Sequence, residues 1–355
     1  MKEAIVRKDT SVDIVDSPIP KPGPGYVLIK VIVAGSNPKD WKIPIVLGYD
    51  MNTGDDIAGT VEAVGDDVVG FNKGDRVAAF HEMRTSQGAF AEYAIAPYYT
   101  TFHIPDSTTF EEAATIPLAA YTSELELPEP WSPLSKAASK EGTKRPLIIY
   151  RASTAIGAFG IKLAAVANIH PIIAVGSKRS EFIKPFLDES KGDVLVDYTA
   201  YSTKEELIKA IQEAVKKGGA PDGRCWKAFD SVSEDDTIRL VIKVIASPPD
   251  ATGRRPKVTN ILLKTEVEDS DPSVNIVFSL VGHVHYEDEN NKLISVVWGA
   301  AFARGLREGW LTSHPYTIGE NGLEGLSEGL KGLKDGKIRA QKFLTRPSET
   351  PGASD

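Results

Sequence analysis

Over its first hundred residues the chain places short apolar runs between turn-forming residues. Residues 27–35 (VLIKVIVAG), 56–65 (DIAGTVEAVG) and 75–80 (DRVAAF) are Val-rich and bounded by Gly, Pro or Asp, and each predicts a β-strand. The run PKPGPG at 20–25 predicts a turn, because prolines alternating with glycines extend neither a helix nor a ladder. Several such strands with turn signals between them predict a small barrel. At Thr109 the pattern changes. A plausible N-cap is followed by acids and then by TIPLAAYTSELEL, which predicts one helix over 109–127. The polar, proline-rich stretch 128–146 reads as the connection between domains.

From Leu147 onward strands and helices alternate. LIIY (147–150), IIAV (172–175), VLVDY (194–198), AFDSV (228–232), VTNILL (258–263) and NIVFSLVG (275–282) read as strands. Helices are expected through GIKLAAVAN (160–168), around SEFIKPFLDES (180–190) and over 202–219. Buried apolar strands alternating with amphipathic helices predict a doubly wound parallel sheet. The polar stretch 247–256 must be a surface loop. A helix-rich segment, 296–311, precedes KIRAQKFL (337–344), which is expected to return to the first domain.

At 355 residues the chain exceeds what one hydrophobic core fills, so two domains are expected. A net charge of −8 argues against nucleic acid and against an anionic membrane surface as partners. The single cysteine, Cys225, excludes an internal disulfide and suits a reducing compartment. No apolar run approaches the ~18 residues of a membrane span, and the first residues hold no signal-like core. The expected address is cytoplasmic.

The first βα turn of the second half, Tyr150 to Gly160, is where such a fold receives a pyrophosphate. The chain turns tightly there, and the next helix presents unpaired N–H groups. Gly157 permits close packing of helix on strand, Ser153 and Thr154 carry hydroxyls, and Ala155 belongs to the same turn. Small residues at such a turn also serve packing alone. After the second strand stand Ser177, Lys178 and Arg179, with no acid to accept from a ribose 2′-hydroxyl. That set favours a 2′-phosphate, hence NADPH over NADH. Tyr198, closing the third strand, completes the expected cofactor set.

SNPKDWK (36–42), GDDIAGTVEAVG (54–65), FNKGDRV (71–77), GAFAEY (88–93) and EEAATIPLAAYT (111–122) occur in the order found in the medium-chain dehydrogenase/reductases. The chain resembles the quinone-reductase-like branch of that superfamily, and within it the fungal trans-acting enoyl reductases of polyketide pathways. The resemblance covers nearly the whole chain. It implies an α/β protein: a GroES-like β-barrel catalytic domain from residues 1–122 and 290–355, and a Rossmann domain from 123–289. It further implies an oxidoreductase that reduces an enoyl or other conjugated carbonyl with NADPH. The substrate would be a small molecule or a polyketide on an acyl carrier, with a polyketide synthase as possible partner. By the resemblance, Lys42, Asn37 and Ser36 are the candidate donors to substrate or ribose.

Zinc-dependent relatives supply Cys near Ser36 or Asn37 and Gly-His-Glu where this chain has Gly54-Asp55-Asp56. Hydroxyl, amide and carboxylates do not replace Cys and His as a tight zinc set, so no metal is expected. Among the six histidines, His283 and His285 alone stand at a ligand-like spacing; they follow a strand-like run in which alternate residues share a face, but read foremost as two loop histidines. Two departures from the family pattern bear on the cofactor. Arg151 stands where relatives have Gly, and its side chain either reaches the pyrophosphate or occupies its place. The helix after Ala120 also meets its proline cluster early. Both keep open a redox-silent alternative, a cyclase that works by orienting its substrate or an auxiliary binding protein.

Overall fold

The computed structural model describes residues 1–126, 146–220, 223–262, 267–268, 270–285 and 289–354. In chain order its strands and helices are β1 (Lys2–Val6), β2 (Val12–Asp16), β3 (Tyr26–Gly35), α1 (Pro38–Leu47), β4 (Asp56–Val64), β5 (Arg76–Phe80), β6 (Tyr93–Pro97), β7 (Thr101–His103), α2 (Phe110–Ala113) and α3 (Pro117–Glu126). There follow β8 (Leu147–Tyr150), α4 (Ala155–Val166), β9 (Ile172–Gly176), β10 (Val194–Asp197), α5 (Lys204–Lys217), β11 (Lys227–Asp230), α6 (Asp235–Ile245), β12 (Lys257–Asn260) and β13 (Asn275–Phe278). The last elements are α7 (Glu289–Glu308), β14 (Tyr316–Ile318), α8 (Leu326–Lys334) and β15 (Lys342–Thr345). The chain divides into two compact units, Met1–Tyr121 with Gly282–Asp355, and Thr122–Val281.

In the first unit the described strands pair in the order β14-β15-β3-β4-β5-β7, with β6 added along β3. The ladder of β3 on β4 is antiparallel, and its inward residues Val27, Ile29, Val31, Ile57 and Val61 share a core with Val77, Ala79 and Phe90. Alternate residues of each strand face that core, as the pleat of a strand requires. The closing segment does return: β15 lies antiparallel to β3, 307 residues from Ser36 at the Phe343 carbonyl.

The helix expected over 109–127 is two helices. Thr109 caps the first as its sequence suggests, its hydroxyl accepting from the Glu112 N–H at 3.1 Å while the Glu112 carboxylate accepts from the Thr109 N–H at 2.9 Å. That helix ends after one turn. Pro117 has no N–H to continue it, and a proline is tolerated at the first position of a new helix, where α3 begins. The proline-rich connection and the early end expected for this helix lie outside the described residues, apart from Pro146.

In the second unit six described strands run parallel in the order β10-β9-β8-β11-β12-β13. This is the dinucleotide-binding order, in which the chain reverses direction beside the first strand. The core is Ile148, Ile173, Val175, Ile211, Ile238, Val241 and Val258. α5 shows why it forms: Thr203 caps it in a box with Glu206, and Leu207, Ile211 and Val215 repeat at helical spacing on its buried face. The helix expected at 180–190 is instead a run of 3₁₀ turns, Lys178–Phe186 and Glu189–Lys191. Pro185 removes a helical donor within the run, and Asp188 bonds its own backbone two residues on, which favours a turn. No helix among the described residues is long and apolar enough to cross a membrane.

Candidate active site

In the second unit the turn after β8 is closed by its own backbone. Arg151 has φ +63°, and its carbonyl accepts from the Thr154 N–H at 3.0 Å. The Ala152 N–H bonds the Val175 carbonyl at 2.9 Å, which ties the turn to the end of β9. Thr154 caps α4: its hydroxyl accepts from the Gly157 N–H at 2.9 Å and donates to Ser231 Oγ at 2.8 Å. The Thr154 proton is therefore spent inside the protein. The donors left for an anion are the first-turn N–H groups of Ala155 and Ile156, which the helix geometry leaves unpaired, and the half-buried Ser153 hydroxyl. Gly157 is required by packing, since a Cβ there would lie 2.8 Å from the Arg151 carbonyl oxygen.

At the end of β9, Ser177 caps the next turn by accepting from the Arg179 N–H. Lys178 and Arg179 are exposed, and among the described residues neither has an ion-pair partner. At the end of β10 the half-buried Tyr198 hydroxyl accepts from the Arg151 guanidinium at 2.8 Å, and that guanidinium lies 4.6 Å from the centre of the Tyr198 ring. Sequence reasoning placed Arg151 and Tyr198 in one set without seeing that they touch.

In the first unit the run Ser36 to Lys42 enters α1. The Ser36 hydroxyl donates to the Phe343 carbonyl at 2.8 Å, and the Asn37 side-chain amide donates to Asp56 at 2.7 Å. Lys42 is half-buried, its ammonium 5.3 Å from the centre of the Trp41 ring, with no ion pair among the described residues. Of the three candidate donors, Lys42 is thus the one not already engaged by a hydrogen bond within the protein.

Around them lies a buried ionic cluster that the sequence did not reveal. Asp56, fully buried, accepts from Asn37, from the Lys342 ammonium and from the Leu118 N–H at 2.7 Å. The Lys39 ammonium pairs with Asp40 at 2.8 Å and with Asp55, and donates to the Thr53 carbonyl. Burial pushes the Asp40 carboxyl up to about 7 and the Asp55 carboxyl up to about 6, against the pull of Lys39. Three carboxylates face two ammonium groups, an excess of buried negative charge that favours protonation of Asp40 and Asp55. Among the described residues no group of three or more His, Cys, Asp or Glu is arranged to hold a metal.

His283 and His285 lie on a 3₁₀ turn, Val281–His285, and not on a strand, so they are the two loop histidines the sequence suggested and share no strand face. His285 instead packs against Phe80, ring centres 4.7 Å apart, near His81. Its ring nitrogens are buried, and burial, aided by the charge of His81 and opposed by a contact with the His81 backbone, pushes its pKa down to about 3.

Residues 23–106 match the family described as alcohol dehydrogenase GroES-like domain. Over 327 residues, 90% of each chain, the protein is 39% identical to the trans-enoyl reductase fsr4 of Gibberella fujikuroi. It is 31% identical to the trans-enoyl reductase resD of Aspergillus sclerotiorum, over 93% of this chain and 95% of that one. A crystal structure of a putative zinc-dependent alcohol dehydrogenase from Rhizobium etli superposes with a TM-score of 0.77 over 98% of both chains at 19% identity, a likeness of fold. The chain belongs to the medium-chain dehydrogenase/reductase superfamily, in the group of the trans-enoyl reductases, and is an oxidoreductase.

Proposed function

We propose that the protein is an NADPH-dependent, zinc-independent reductase of an enoyl thioester or related conjugated carbonyl, acting in the cytoplasm on a polyketide intermediate held by an acyl carrier. The observation that carries this reading is its full-length likeness to proteins named trans-enoyl reductases. The second unit supports a dinucleotide: its strand order, its capped βα turn with open N–H groups, and a position 157 where only Gly fits. When bound, the nicotinamide supplies hydride. The protein must then supply a donor to polarise the carbonyl, and Lys42 has an uncommitted ammonium for that.

Zinc independence is supported by occupancy. Asp55 and Asp56 hold lysine ammonium groups where a zinc site would need open ligands, and Lys39 and Lys342 would have to leave first.

The test is turnover of NADPH with an α,β-unsaturated acyl thioester, before and after chelation. Reductase activity predicts consumption of NADPH, a saturated product, and no loss on chelation. Lys42→Ala should lower kcat by about 10²-fold or more with NADPH affinity unchanged, the range for losing one positioned donor. Conversion of a polyene without any nicotinamide would establish cyclisation instead and sink the reductase reading.

A further inference from the structure

We propose that Arg151 is a ligand for the 2′-phosphate of the dinucleotide and not for its pyrophosphate, making it a specificity-determining residue that works from the first turn of the fold. The inference rests on the reading that the second unit binds NADPH.

The first observation is the backbone. Arg151 holds φ +63°, a left-handed conformation that is free for glycine and costly for a side chain with a Cβ. The turn nevertheless closes as it would around glycine, with the Arg151 carbonyl accepting from Thr154 and from Ser231 Oγ at 3.1 Å. The substitution thus leaves the phosphate turn intact and adds a guanidinium at its edge.

The second observation is where that guanidinium goes. β9 lies between β8 and β10, so a contact from Arg151, just after β8, to Tyr198, just after β10, crosses the carboxyl end of β9. That end carries Ser177, Lys178 and Arg179, where the ribose 2′ position is recognised in this fold. Tyr198 holds the guanidinium by one hydrogen bond and by its ring face.

The third is charge. Arg151 forms no ion pair among the described residues, and its Nε is buried without an acceptor. Asp230, whose carboxyl burial pushes up against a small opposing pull from the Arg151 charge, bonds Thr237 at 2.6 Å and the Val232 N–H at 3.1 Å instead. Arg151, Lys178 and Arg179 therefore place three cations without ion pairs among the described residues at the carboxyl ends of β8 and β9, with the Asp197 carboxylate, which Lys178 helps hold ionised, as the neighbouring acid. A dianionic phosphate is the group that such a set recognises, and the guanidinium fork presents paired donors to it.

Adenosine 2′,5′-bisphosphate and adenosine 5′-monophosphate differ only in the 2′-phosphate, so titrating both calorimetrically isolates the subsite. Arg151→Gly should weaken the bisphosphate by about 10- to 100-fold, the range for charge-assisted hydrogen bonds, and leave the monophosphate within about twofold. Arg151→Lys should recover part of the loss, and Tyr198→Phe should show a smaller loss than Arg151→Gly. Equal weakening of both nucleotides would place Arg151 at the pyrophosphate, and a tighter bisphosphate in Arg151→Gly would show that the side chain obstructs the site; either overturns the proposal. If the wild type binds neither probe nor NADPH, the proposal and the cofactor reading fall together. If the selective pattern holds but NADPH does not reduce an enoyl thioester, the reductase reading alone falls.

Discussion

Asp56 takes donors from three separate segments: the Asn37 amide at the entry to α1, the Leu118 N–H at the start of α3, and the Lys342 ammonium on β15. All are buried, so the cost of losing the charge is the cost of stranding an ammonium away from water. Asp56→Asn should destabilise the protein by about 3–5 kcal/mol, and Asp56→Asn combined with Lys342→Met should recover much of that, since the pair as a whole is close to neutral for stability. Urea midpoints at unchanged m-value measure both; a double variant no more stable than the single one would refute the account. None of this was legible in the chain. Lys342 lies 286 residues from Asp56 and looks like an ordinary strand-end lysine, and Lys39 looks like one more exposed cation. The run around Ser36, Asn37 and Lys42 drew notice only through a family resemblance, and the resemblance could not say that two of the three already spend a donor inside the protein. Side-chain commitments depend on what the fold brings near, and spacing along the chain does not encode that.

At the scale of elements the sequence was more informative, because periodicity and caps act locally. The Thr109 cap was visible as a residue pattern, and every strand of the parallel sheet was visible as an apolar run. Two readings failed for one reason: Pro117 divides a helix, and Pro185 prevents one, in stretches whose remaining residues are helix-compatible. The junction of β8 and α4 carries the prediction that belongs here. Gly157 has no room for a methyl group against the Arg151 carbonyl, a backbone atom that yields only if the turn opens. Gly157→Ala should cost about 1–3 kcal/mol of stability, the range for overpacking. It should also weaken NADPH, because the displaced turn misaims the Ala155 and Ile156 N–H groups. Thr154→Ala, which removes the cap but adds no bulk, should cost about 1 kcal/mol with a smaller effect on affinity. Thermal melts with and without NADPH separate the two variants; equal ligand-induced shifts in both would refute the steric account.

For the molecule as a whole, two buried features of the first unit pull its stability in opposite directions as pH changes. His285 titrates near 3 when folded and near 6.5 when unfolded, so between those values the unfolded chain binds the extra proton. Stability from this group is complete above about 6.5 and is lost as pH falls. The Asp40–Asp55 pair behaves the other way. Its carboxyls, at about 7 and about 6, stand above the unfolded value of 3.8, so the folded chain binds the extra proton, and stability is lost as pH rises from 3.8 towards 7. Both carboxyls titrate above the unfolded value, so the pair takes up protons with a sign opposite to that of His285. Each titrating group contributes a slope of at most about 1.4 kcal/mol per pH unit, and the opposite slopes overlap between about pH 4 and 6.5, where they offset each other in part. Removing one should unmask the other. Relative to wild type, His285→Leu should lose stability steadily as pH rises through that window, and Asp40→Asn should gain it, both read from urea midpoints at a series of pH values. Parallel pH profiles for His285→Leu and the wild type would mean that this imidazole is not held neutral by burial, and the opposition of the two features would be lost with it.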